Sequence, residues 1–208
     1  MTRPELGATY ARLFMGLSDG SNLGQQSLAY AQPVHFGGDG TMGVAWQNFG
    51  LDSLYSERTI SLSYGRLGWK TAMGRIYWGL TVKQLHRSFG SAPESSNAWD
   101  GAAYTGQPDF VLSNPTGGSA IDADGGLLWR APRHFSVGLS ISHLNSPDVS
   151  FGSEPDPVPM LTRLGASYHS LWMNLALEAR VQESPLGGKD TRMTAALERT
   201  FPTLESGE

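Results

Sequence analysis

Along residues 171–182, "LWMNLALEARVQ", apolar and polar positions alternate. Leu171, Met173, Leu175, Leu177, Ala179 and Val181 fall on one side. Trp172, Asn174, Ala176, Glu178, Arg180 and Gln182 fall on the other. A period of two marks a strand with unlike faces. A helix is the rival reading, because Leu, Met, Ala, Glu and Arg are good helix formers. Helical spacing would gather Trp172, Leu175, Ala176 and Ala179 into one seam. Alternation accounts for more of the pattern, since all six odd positions are apolar and only two even ones are. The short link His169-Ser170 to the preceding run also favours a hairpin. The segment "TRMTAALERTF" carries the same two readings.

The unit recurs along the chain. Alternating runs occupy 7–16, 24–34, 40–49, 55–66, 73–87, 119–130, 134–145, 160–168, 171–182 and 191–201, which predicts ten strands. The connections differ in length. Residues 88–118 and 146–159 are long and rich in Ser, Pro and Gly, whereas 131–133 and 169–170 are tight. Long loops at one end and short turns at the other are how a transmembrane barrel is drawn.

The oily face must touch either a second sheet or lipid. A soluble β-sandwich would pack it against another sheet. An antiparallel, up-and-down transmembrane β-barrel would turn it to the bilayer. In the barrel reading Val44, Trp46, Trp78, Leu80, Val137, Leu139, Leu175 and Leu177 face lipid. Glu57, Lys83, Asp122, Asp124, Arg130, Arg163, Glu178, Arg180, Arg192 and Glu198 then face the interior, pairing between neighbouring strands because unpaired charge away from water is costly. Asp122 and Asp124 are expected to pair with arginines. Gly79, Gly126, Gly138 and Gly165 sit on that less apolar face, where a barrel interior is crowded. Tyr55, Trp69, Trp129, Tyr168 and Trp172 lie near strand ends, as interfacial girdles do. Runs of about ten residues suit a membrane crossing.

Composition narrows the function classes. Only 16% of the 208 residues are charged, and glycine numbers 26. The net charge of −4 offers no basic field for nucleic acid. With no cysteine, disulfides, thiol catalysis and thiolate metal sites are excluded. No apolar run is long enough for a transmembrane helix. The opening "MTRPELGATY" has no apolar core of a signal peptide.

The segments "GTMGVAWQNFGLDSLYSERTISLSYGR", "GLTVKQLHRSFG", "AIDADGGLLWRAPRHFSVGLSISHLNSPD", "PMLTRLGASYHSLWMNLALEARV" and "MTAALERTF" resemble, in order, the strands of the PorV/PorQ family of outer-membrane barrels, relatives of the FadL-type transporters. The resemblance runs through most of the chain. It implies a bacterial outer-membrane location and either of two non-enzymatic roles. One is partnership with secretion-system proteins in protein export by the type IX route; the other is passage of a hydrophobic small molecule. For export, loops 88–118 and 146–159 would supply the docking surface. The family's signal peptide and Asn-Pro-Ala-Gly-like segment are absent, and such barrels have more strands than the ten read here. The expectation is a single barrel domain over 1–208 lacking an N-terminal segment and closing strands. The alternative is a soluble sandwich binding a ligand through its loops.

Other motifs carry little chemistry. "GDGTMG" at 38–43 matches a dinucleotide fingerprint, but a strand follows it where a helix is required. "DADGG" at 122–126 resembles the start of a calcium loop, yet "LLWR" follows instead of further oxygen ligands. His35, His86, His134, His143 and His169 show no zinc-site spacing. There is no Gly-x-Ser-x-Gly elbow. No catalytic residue, metal or cofactor is expected, and the partners expected are a lipid bilayer and those the resemblance implies.

Overall fold

A computed structural model describes residues 3–13, 22–35, 38–52, 54–90, 97–108, 117–151, 155–184 and 187–199. Ten strands run through them: β1 (Glu5–Leu13), β2 (Leu23–Val34), β3 (Gly40–Leu51), β4 (Tyr55–Thr71), β5 (Gly74–Phe89), β6 (Gly117–Arg130), β7 (Phe135–Ser142), β8 (Leu161–His169), β9 (Met173–Glu183) and β10 (Lys189–Arg199). They form one antiparallel up-and-down sheet in chain order, with β1 and β10 as unjoined edges. Each of the ten alternating runs yields a strand. Helix propensity at 171–182 and 191–201 loses to the ladder, since β9 and β10 pair along their whole lengths. Residues 14–16 and 200–201 of the expected runs lie outside the described residues. The run 134–145 overshoots, because β7 stops at Ser142 and His143 takes a left-handed φ of 59°.

Direct cross-strand partners share a face, so the register assigns every side chain. One row reads Leu6, Tyr30, Val44, Leu62, Val82 and Ala123 from β1 to β6. Another reads Leu127, Leu139, Leu164, Ala179 and Met193 from β6 to β10. One apolar face therefore crosses all ten strands. Its side chains are bare: Leu62 is 54% exposed, Leu164 52% and Met193 81%. Among the described residues the only buried apolar side chains of size are Val149 and Leu161. The two facing sheets of a sandwich are absent among the described residues, where strands pack mainly on their chain neighbours.

Local devices keep the faces consistent. Between Leu67 and Trp69 the register slips by one residue, a bulge at Gly68 that puts Trp69 beside Ile76 on the apolar face. Aromatic pairs line that face at one end: Tyr64 with Trp78 at 5.7 Å and Trp129 with Phe135 at 6.0 Å. His134 and Tyr168 add a third pair at 6.0 Å. Trp172 lies in the β8–β9 turn at the same end. Tyr55 departs from the expected girdle: its register puts it on the opposite face, at the far end, packed on Phe89.

The connections 35–39, 72–73, 131–134 and 170–172 all fall at the aromatic end. Both long connections, 90–116 and 143–160, fall at the other. The tightest turn is β4–β5, where Gly74 has φ of 141° and a Cβ would lie 2.3 Å from the Arg130 carbonyl oxygen. Gly74→Ala should lower stability by about 2 kcal/mol or more. Gly187→Ala, at φ of 84° in open space, should cost only about 1 kcal/mol. Denaturant midpoints of the two variants check the difference.

Candidate functional site on the charged face

The register places Val44, Trp46, Trp78, Leu80, Val137, Leu139, Leu175 and Leu177 together on the apolar face. It places Glu57, Lys83, Asp122, Asp124, Arg130, Arg163, Glu178, Arg180, Arg192 and Glu198 together on the opposite one. Along β4, β5 and β6 the charged face is the more sheltered. On that face Gly79, Gly126, Gly138 and Gly165 line an open groove of about 540 Å³.

The ten charges do not act as one site. The strongest cluster joins β5, β6 and the corner after β7. Lys83 Nζ lies 2.8 Å from Asp122 Oδ2 and 2.7 Å from Asp124 Oδ1. Asp122 is fully buried. Its Oδ2 is also 2.6 Å from His143 Nδ1, and its Oδ1 accepts the Ala123 N–H at 2.7 Å. Asp124 Oδ1 accepts the His143 N–H at 3.1 Å. The aspartates thus pair with a lysine and meet a histidine; arginine is not their partner. Lysine wins because it stands directly opposite Asp122 in the register.

Asp122, Asp124 and His143 offer ligand atoms within 4.8 Å of one another. The Lys83 ammonium already supplies the positive charge between the two carboxylates, so a metal cation would be repelled from the same point. "GDGTMG" also carries no ligand chemistry: Gly38 and Asp39 form the turn into β3, and no helix opens there.

A second cluster fastens the β7–β8 connection onto this face. Arg87 Nε lies 3.1 Å from Glu57 Oε1, and its Nη1 lies 2.9 Å from Asp156 Oδ2. The Tyr55 hydroxyl donates to the same Glu57 oxygen at 2.5 Å. Phe89 stacks between Tyr55 at 5.1 Å and Phe151 at 4.7 Å. Val149, 1% exposed, sits over Gly118, where a Cβ would meet two loop carbonyl oxygens at 2.6 Å. Asp148 accepts the Asp156 N–H at 2.9 Å and the Ser150 N–H at 3.0 Å. Those two donors hold its carboxyl below the usual carboxylate range. Part of 146–159, expected as free docking surface, is therefore folded against the sheet.

The remaining charges make weaker contacts. Arg130 lies over the Tyr77 ring at 5.8 Å, and Glu198 accepts from Asn174 Nδ2 at 3.0 Å. Arg163, Glu178 and Arg192 form no salt bridge among the described residues. Arg87 and Asp156 were not named from sequence, and His143 only as a histidine without zinc-site spacing. Alternation from Lys83 puts Arg87 on the charged face; the two loop residues had no such signal. No family model, curated protein or solved structure matches the chain.

Two outcomes check this geometry. Lys83→Met leaves a buried Asp122 carboxylate without its main partner and should cost about 3–5 kcal/mol in denaturant unfolding. The Asp148 carboxyl is depressed in the folded loop, so its contribution is complete above the ordinary carboxylate pKa and is lost as pH falls through the folded value. Proteolysis of 143–160 should be flat from about pH 7 to 5 and rise below about pH 4. Asp148→Asn should give the faster cleavage at neutral pH.

Proposed function

We propose that the chain is wall material of a bacterial outer-membrane β-barrel of the PorV/PorQ type, non-enzymatic, acting at the envelope in protein export. The observation that carries this reading is the bare apolar face continuing across all ten strands. Soluble monomers rarely expose apolar patches above roughly a few hundred Å². Lipid tails remove that cost, and the strand ladder satisfies the backbone inside the bilayer. Strand length supports it: nine of the ten strands have 9 to 17 residues and β7 has 8, against the roughly 9–11 that a tilted crossing needs. The aromatic row at the short-turn end supports an interfacial girdle. The same reading requires strand partners for β1 and β10, because an open edge in lipid strands backbone donors and acceptors.

Export is favoured over passage of hydrophobic compounds by two features. The charged face carries the ion pairs of Lys83 with Asp122 and Asp124 and of Arg87 with Glu57, where an apolar ligand would need an oily pocket. The long β5–β6 connection carries a small hairpin, with Ala98 N–H bonded to the Gln107 carbonyl at 2.7 Å and Thr105 N–H to the Ala98 carbonyl at 2.8 Å. It displays Trp99 and Tyr104, 58% and 71% exposed, in edge-to-face contact at 5.2 Å. Exposed Trp and Tyr on an ordered loop are the usual anchors of protein recognition.

The test is a pair of neighbouring substitutions in the chain folded into phosphatidylcholine vesicles. Leu177→Arg, on the apolar face, should cost about 2–4 kcal/mol near mid-bilayer. Ala176→Arg, on the charged face, should change stability by about 0.5 kcal/mol or less. Equal losses would overturn the lipid assignment, as would failure to insert alongside cooperative folding in water.

A further inference from the structure

We propose that Arg163, Arg180 and Arg192 form an oxyanion site on the charged face, suited to a phosphate group. Arg163 is the direct partner of Arg180, and Arg180 of Arg192, so three arginines stand side by side on β8, β9 and β10. Adjacent strands are about 4.8 Å apart. Like charges directly opposite one another destabilise a sheet, so the row is a local cost to folding. Among the described residues no carboxylate lies within 4.0 Å of any of the three guanidinium groups. Glu178 and Asp190 stand one rung to either side of the row on the same face, outside that range.

An independent observation points to the same place. Arg180 Nε is buried without an acceptor, while Nη2 of the same group is tied to Gln182 Oε1 at 2.5 Å. A buried donor left unpaired asks for an acceptor. Ser140 stands directly opposite Arg163 on β7 and adds a hydroxyl to the row. A carboxylate has two oxygens and saturates one guanidinium fork. A phosphate carries more charge and more acceptor oxygens, enough to bridge neighbouring forks.

Another row of cations, Lys70, Arg75 and Arg130, supplies the contrast. All three are exposed at the ends of their strands, where water solvates them, whereas Arg163 and Arg180 are half-buried and only Arg192 is exposed. Charge in register is therefore present twice, but only the row on β8–β10 carries a buried unsatisfied donor among the described residues.

The experiment titrates inorganic phosphate into the 208-residue chain by calorimetry, at constant ionic strength, with acetate as the comparison anion. It is run in detergent or in water, whichever keeps the far-UV strand signal, so its outcome is separate from the membrane reading. Saturable binding of phosphate over acetate is expected. Arg163→Gln and Arg180→Gln should each weaken it about tenfold or more. Arg180→Lys should recover only part, because the fork is lost. Arg75→Gln should leave affinity unchanged. Without phosphate, the two glutamine variants should unfold at the same or a higher midpoint than the parent, since a like-charge contact is gone. Phosphate should raise the midpoints of the parent and of Arg75→Gln, and those of Arg163→Gln and Arg180→Gln by less. Displacement of free phosphate by micelles doped with phosphatidic acid would support the same chemistry with a lipid headgroup as its source. Absence of saturable binding, or equal weakening by Arg75→Gln, would overturn the site.

Discussion

The antiparallel ladder from Glu5 to Arg199 decides which way each strand side chain points. Direct partners share a face and neighbours along a strand oppose. One register therefore propagates through ten strands, and the bulge at Gly68 preserves it where β4 runs long. The result is a sheet one layer thick with an apolar side and a charged side. Because no second layer covers the apolar side among the described residues, its stabilisation depends on the medium around it. Most of what can be said about function descends from that dependence.

The charged side is divided into a satisfied half and an unsatisfied one. Around β4–β6, carboxylates and cations meet at hydrogen-bonding distance, and buried Asp122 is held by a lysine, a histidine and a backbone N–H. The same region binds the β7–β8 connection through Arg87 and Asp156, with Val149 settled on Gly118. These contacts order the long-loop end of the sheet, and their donors and acceptors are used up on one another. Across β8–β10 one rung is made of three arginines. Among the described residues, the one buried polar donor without an acceptor lies in this second half.

Long connections serve two purposes at that end. The 143–160 connection is spent partly on covering the charged face. The 90–116 connection holds an ordered hairpin whose aromatic pair points at solvent. One loop thus folds onto the sheet and the other holds its aromatic pair away from it.

Much of this was legible from the sequence, because strand alternation is a local property. The ten runs, the two faces and the side taken by each of the eighteen assigned residues follow from a period of two, which needs no knowledge of neighbours. Pairing was not legible. Which cation meets Asp122 depends on the β5–β6 register, which alternation alone does not give, so lysine stands where arginine was expected. Tyr55 was misplaced for a different reason: nearness to a strand end does not give the face, although a period of two from Glu57 puts Tyr55 on the charged side. His143 and Asp156 come from irregular backbone, where no period predicts direction. The arginine row needed three strands laid side by side, since Arg163, Arg180 and Arg192 are far apart in sequence and neighbours only through hydrogen bonds between strands. Sequence periodicity determined the faces of this protein; only the tertiary ladder decided which charges share a place on them.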